Sequence, residues 1–189
     1  MTDKPIIIIV APSGAGKSSF LERILEDEER LVDIITYTTR APRLGEQDGK
    51  TYNFVTPQKF MDLKSVDFFV ESAIVHGNHY GIPLDQIETA WTEKRVPIMD
   101  VDVQGAQTIK EKFPWAKTIF IVPPSIDELR RRIVARSGGQ KPGDLEIRLE
   151  NAQREMALVD SFDFKILNDV FEPSFQRFKE VVEELIKRV

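Results

Sequence analysis

The sequence predicts an α/β fold: a parallel sheet flanked by helices on both faces, with a small mixed α/β insert and a lid. Three observations predict it. Short apolar runs alternate with helical patterns along the chain, residues 6–10 are apolar at every position, and the rhythm breaks between Asp33 and Tyr80. A strand with one face in water would alternate with polar residues, so an unbroken aliphatic run implies burial on both faces. Alternating strands and helices build a parallel sheet with helical crossovers.

The first strand, 6–10, leads into a helix over 18–29 with Phe20, Leu21, Ile24 and Leu25 on one stripe. Residues 96–101 read as a second buried strand, followed by a helix over 104–113 that Pro114 stops. A third strand spans 118–122, after which Ser125 opens a helix with Glu128 in the capping-box position. Residues 164–167 give a short fourth strand. The tail over 174–189 is amphipathic, with Phe175, Phe178, Val182 and Leu185 facing inward.

Between these lies the break. Runs at 34–37, 51–55 and 68–75 are separated by the turn-rich stretch 43–49, which reads as a mostly antiparallel insert. A second irregular stretch, 137–143, carries three glycines and a proline between two arginine-bearing helices and suits a mobile lid. The expected division is a core of residues 1–32 and 84–189, with the lid at about 137–147, and an insert of 33–83.

Composition narrows the class. The chain has 189 residues, 41% hydrophobic and 30% charged, which suits one globular domain. A net charge of −5 argues against a broad basic face for nucleic acid. The longest aliphatic run is too short to cross a bilayer, and Met1-Thr2-Asp3-Lys4 leads into no apolar stretch with a cleavage site. Cysteine is absent, which removes disulfides, thiolate metal sites and cysteine nucleophiles together. A cytoplasmic enzyme, with no membrane or nucleic-acid partner, is expected.

The chemistry starts at Ala11-Pro12-Ser13-Gly14-Ala15-Gly16-Lys17-Ser18, which fits the phosphate-loop pattern with a buried strand before it and a helix after. A triphosphate must be approached by backbone, so side chains have to shrink, and Gly14 and Gly16 allow that. Backbone N–H groups then form an anion nest at the positive end of the helix. Lys17 reaches the β- and γ-phosphates, and Ser18 offers its hydroxyl to Mg²⁺. The sheet is therefore expected to be of the P-loop NTPase type.

The insert supplies the acceptor side. Arg40 and Arg43 bracket a proline, and Tyr52 and Tyr80 follow; guanidinium forks and phenols suit a second phosphate monoester. On the donor side, Arg132 and Arg136 lie four residues apart on one helix face, while Arg130 and Arg131 project elsewhere and are assigned to solvent.

At this point the chain resembles the guanylate kinase family. Thr38-Thr39-Arg40-Ala41-Pro42-Arg43, Gly45-Glu46, Asp48-Gly49, Tyr52 and Phe54 look like its monophosphate-binding loop. The resemblance continues through Glu71, through His76-Gly77-Asn78-His79-Tyr80-Gly81, and through Met99-Asp100-Val101-Asp102-Val103-Gln104-Gly105. It implies that Arg40, Arg43, Tyr52 and Tyr80 hold the GMP phosphate in a GMP-binding insert. Thr36, Glu71 and Asp102 would face the guanine, and Arg148 would join Arg132 and Arg136 on the migrating phosphoryl group.

Guanine presents N1–H and an exocyclic N2–H₂, which carboxylates accept; adenine would leave a buried carboxylate unpaired, a mismatch worth roughly 10⁴ in discrimination. No general base is required, because the second pKa of a monophosphate lies near about 6. Asp100 would orient the water shell of Mg²⁺. His76 and His79 are too few for a zinc site and take no catalytic role. Two positions depart from the family pattern: Ile82, where the family usually has a hydroxyl residue, and the lid sequence 137–143.

The expected reaction is ATP plus GMP giving ADP plus GDP with Mg²⁺, by a monomer or homodimer. Two other readings stand beside it. One is a non-catalytic guanylate-kinase-like interaction domain, which intact Lys17 and Ser18 oppose. The other is a relative that phosphorylates a ribose bisphosphate, which Thr36, Glu71 and Asp102 oppose.

Overall fold

The computed structural model describes residues 4–43, 45–75 and 77–187. Leu44 in the turn-rich stretch, His76 and residues 188–189 of the tail lie outside the described residues. In chain order the first elements are β1 (Ile7–Val10), α1 (Lys17–Asp27), β2 (Leu31–Asp33), β3 (Tyr37–Thr38), β4 (Asn53–Phe54) and α2 (Pro57–Ser65). Then come β5 (Phe69–Val75), β6 (Asn78–Pro83), α3 (Leu84–Thr92), β7 (Val96–Val101) and α4 (Val103–Lys112). The chain finishes with β8 (Lys117–Val122), α5 (Ile126–Arg136), α6 (Leu145–Met156), β9 (Phe164–Leu167) and α7 (Phe171–Lys187).

β1 sits at the centre of a five-stranded sheet in the order β2-β7-β1-β8-β9, and every pairing in it is parallel. Its alternate residues feed two different cores. Ile7 and Ile9 pack with Phe20 and Ile24 of α1, Leu129 and Ile133 of α5, and Phe178 of α7. Ile6, Ile8 and Val10 pack instead with Ile87 of α3, Ala106 and Ile109 of α4, and Phe120. Both faces are sealed, so each of these side chains contributes burial worth about 1.5–3 kcal/mol, and polar alternation is excluded.

A second, four-stranded sheet runs in the order β4-β3-β6-β5. β3 and β5 are antiparallel to β6 and only β3 and β4 pair in parallel, so the insert is mostly antiparallel as expected, with one parallel pairing. The run at 34–37 divides between the two sheets: Ile34 still donates to Ile98 O of β7 at 3.0 Å, and only Tyr37–Thr38 joins the second sheet.

The four predicted core strands all form. β2 is additional and brings the sheet to five; three residues are too few to display a pattern, and β7 together with the Arg95 guanidinium, which donates to Leu31 O at 2.6 Å, hold it. α2, α3 and β6 are also additional. The start of α2 was signposted: Thr56 accepts from the Lys59 N–H at 3.2 Å with Pro57 at the first position. α1 and α7 begin one and three residues before their predicted starts, at Lys17 and Phe171. The Ser125 cap is present, its hydroxyl accepting from Glu128 N at 3.1 Å, but the Glu128 carboxylate pairs with Arg132 Nε at 2.8 Å rather than closing the box.

Candidate active site

The C-terminal edge of a parallel sheet is where open α/β folds bind ligands. Here that edge carries the loop after β1. Gly14 and Gly16 both take left-handed backbone conformations, with φ of 90° and 99°, which a residue with a Cβ adopts only under strain. There is also no room: a Cβ at Gly14 would lie 2.8 Å from Ile133 of α5, and one at Gly16 would lie 2.7 Å from the Asn168 amide nitrogen. Lys17 extends across to the end of β7, donating to Val101 O at 3.2 Å and lying 3.4 Å from an Asp100 carboxylate oxygen. The register explains this meeting, because Asp100 is the neighbour of Ile9 on the central strand.

Arg40, Tyr52 and Tyr80 of the insert also come together. Arg40 makes a two-pronged pair with Glu46 at 2.8 and 2.9 Å and also donates to Ala41 O at 2.8 Å. Its guanidinium lies 5.3 Å from the Tyr52 ring centre and 5.8 Å from that of Phe54. The hydrogen bonds that Arg40 donates to Glu46, followed by its bond with Tyr80, push the Arg40 pKa further up, so the cation is fixed before any phosphate arrives. Glu46 also accepts from the Arg43 backbone N–H at 2.7 Å, which folds the loop back on itself. The rings of Tyr52 and Tyr80 meet edge to face at 5.9 Å, and burial with the nearby Asp100 charge pushes the Tyr52 phenol up to about 12. Tyr52 is therefore a hydrogen-bond donor at neutral pH and not an anion.

At the base end, β5 carries a bulge: Phe69 pairs with Pro83 and Glu71 with Ile82, which leaves Val70 without a partner. A bulge of this kind re-aims side chains. Val70 enters the core beside Ile82, while Glu71 is half-buried within electrostatic reach of Asp102. Burial, and then the Asp102 charge, push Glu71 up to about 7. Asp102 is the N-cap of α4, its Oδ1 accepting from Gly105 N at 2.7 Å. Thr36 lies between β2 and β3, its carbonyl accepting from Asn53 N at 2.9 Å. Ile82 is buried, 2% exposed, and belongs to the core.

The donor-side arginines occupy different positions. Arg132 reaches under the phosphate loop, donating to Asn168 O at 3.0 Å and reaching Ala15 O at 3.5 Å. Arg136 ends α5 exposed, and Arg148 pairs with Asp144 at 2.8 Å at the start of α6. Arg130 is not simply solvated: it and Lys141 both pair with Glu146 at 2.9 Å, tying the stretch 137–143 to α6. Arg131 is exposed and pairs with Glu128.

Comparison with known proteins gives these groups a family. The sequence profile described as guanylate kinase matches residues 3–185. The chain belongs to the guanylate kinase family. A guanylate kinase of Bdellovibrio bacteriovorus is 53% identical over 181 residues, covering 96% of this chain and 97% of the relative. One from a Polaromonas species is 40% identical, covering 94% of this chain and 85% of the relative. The crystal structure of guanylate kinase from Anaplasma phagocytophilum superposes with a TM-score of 0.76 at 30% identity, covering 97% of this chain and 87% of that one.

Kinases of this kind use a divalent cation with the donor, and the residues present fit one. Ser18 at the start of α1 and Asp100 at the end of β7 are hard oxygen donors flanking Lys17. Among the described residues no group of three or more His, Cys, Asp or Glu could hold a metal ion. Among the described residues no helix is long and apolar enough to cross a membrane.

Two residues at this family site were not singled out from the sequence. Asp33 ends β2 beside β7, and burial with the neighbouring Asp100 charge pushes it up to about 7. Asn168 follows β9, is 4% exposed and donates to Ala15 O at 2.7 Å. Each is a polar residue at the C-terminal end of a short core strand, where open α/β sheets bind ligands, and that position was the available signal.

Proposed function

We propose that this chain transfers the γ-phosphoryl group of ATP to GMP, giving ADP and GDP, as a cytoplasmic enzyme that is a monomer or homodimer. One observation carries the proposal: donor and acceptor groups converge on Asp100. Lys17 of the phosphate loop lies 3.4 Å from it, and Tyr52 of the acceptor cluster feels its charge. We assign the acceptor role to the insert of residues 33–83 and the donor role to the core of 1–32 and 84–189, with a lid at about 137–147.

In this assignment residues 11–18 wrap the donor phosphates, and Arg40, Arg43, Tyr52 and Tyr80 hold the GMP phosphate. Glu71 and Asp102 accept from guanine N1–H and N2–H₂, with Thr36 beside them. Ser18, and Asp100 through the hydration shell, would hold a Mg²⁺ ion, which when bound would supply charge neutralisation at the donor phosphates. An oxygen of the GMP dianion attacks the γ-phosphorus, and the bond to the β–γ bridging oxygen breaks, leaving its electron pair on ADP. Lys17 follows the charge onto the leaving oxygens. Arg136 and Arg148 close on the moving group, Arg148 exchanging Asp144 for phosphate, while Arg132 braces the loop from below. The task is positioning and neutralisation, so no proton acceptor is needed.

A coupled assay across AMP, CMP, GMP and UMP tests the proposal. GMP should be the best acceptor by orders of magnitude; equal or faster turnover on another nucleotide, or calorimetric preference for ribose 1,5-bisphosphate, would overturn it.

A further inference from the structure

The glycine that makes the phosphate nest possible also makes it unstable. The peptide joining Ala15 to Gly16 can present either its N–H or its carbonyl to a phosphate. A flip changes mainly the ψ of residue 15 and the φ of residue 16, and glycine accepts either sign of φ. Nothing intrinsic to Gly16 therefore keeps the Ala15 carbonyl out of the nest, where it would oppose an anion.

Asn168 removes that freedom. It is one of four buried polar residues among the described residues, and its place is fixed by its own backbone, whose N–H donates to Val122 O at 2.8 Å beyond the β8–β9 pairing. From there its Nδ2 donates to Ala15 O at 2.7 Å, pulling that carbonyl down and away from the ligand side. Arg132 seals the arrangement by donating to the Asn168 carbonyl at 3.0 Å, and its own Nε is held by Glu128 at 2.8 Å. The fit is close enough that any Cβ on Gly16 would collide with the same Nδ2.

We propose that Asn168 is a positioning residue for the donor phosphates, locking the Ala15–Gly16 peptide with its N–H turned toward them. It touches no substrate in this role and acts through the loop. The inference rests on the assignment of residues 11–18 as the donor phosphate loop.

The test compares wild type, Asn168→Asp and Asn168→Ala by calorimetry with three probes: MgATP, magnesium tripolyphosphate and GMP. Asn168→Asp replaces a donor with an acceptor of the same size facing the Ala15 carbonyl. It should weaken MgATP and tripolyphosphate by about tenfold or more, in parallel, while GMP affinity stays within about twofold. Asn168→Ala, which introduces no charge, should move both phosphate probes the same way by a smaller factor and carries the test if the buried carboxylate unfolds the protein. Unchanged tripolyphosphate affinity overturns the inference, because any loss confined to MgATP would mark a contact with the nucleoside. Parallel loss of GMP binding overturns it too, because the role would then be general to the fold. Failure of wild type to bind tripolyphosphate would instead refute the phosphate-loop assignment itself.

Discussion

Glu71 ties acceptor recognition to pH. Burial and the Asp102 charge push its carboxyl up to about 7, and in the proposed assignment only the ionised form offers both oxygens as acceptors to guanine N1–H and N2–H₂. The competent fraction is about one tenth at pH 6 and about nine tenths at pH 8, so GMP affinity should rise about ninefold over that interval. The second ionisation of the GMP phosphate, near about pH 6, adds roughly a further twofold. Calorimetric titration of wild type should therefore show a change of about eighteenfold, with about half a proton released per GMP bound at pH 7. Glu71→Gln should keep only the twofold phosphate component. It should also lose on the order of 10²–10³ in GMP affinity at pH 8, since an amide turns a donor toward two donors. A wild-type change of no more than about twofold, or a ninefold component that survives in Glu71→Gln, would refute the assignment.

Other perturbations follow from the same geometry. Lys17→Met should lower transfer by about 10³ or more while GMP affinity, read by calorimetry, stays unchanged. Gly81→Ala would place a Cβ 2.7 Å from the Phe69 ring, and should destabilise by about 1–3 kcal/mol, read as a Tm lower by several degrees with unchanged secondary structure. Asp33 binds its proton more tightly folded, at about 7, than at its ordinary 3.8, so its contribution to stability falls as pH rises from about 4 through 7. Asp33→Asn should therefore stabilise the ligand-free protein at pH 8 by on the order of 2 kcal/mol after allowance for partial solvent access, read as a higher Tm, and the gain should shrink toward pH 4. An equal Tm difference at both pH values would contradict that origin.

The sequence was most legible where burial acts on both faces of an element. Ile7, Ile8, Ile9 and Val10 are sealed on two sides, so their pattern alone placed a strand buried on both faces. β2 and β6 were not legible for a different reason: a three-residue edge strand and a strand reading Asn-His-Tyr-Gly-Ile-Pro are held by their partners' registers, not by periodicity of their own. In the site, Arg40 and Tyr52 could be proposed from residue type and spacing. The preorganising role of Glu46 could not, because it depends on how the loop folds back on itself. Asn168 and Asp33 stayed hidden because their partners are 153 residues distant in one case and on a neighbouring strand in the other.

The placement of β1 has a consequence for hydrogen exchange. Its amides are flanked by β7 and β8 and covered on both faces, so they exchange only when the sheet itself comes apart. Residues 47–51, exposed and held by turn contacts such as Gly49 N to Tyr52 O at 2.9 Å, can open locally at far smaller cost. Isotope labelling should thus separate the two halves of the proposed reaction centre: slow-exchanging amides in the strand before the loop assigned to the donor, fast-exchanging ones in the loop assigned to the monophosphate, and protection gained on GMP binding confined to the second.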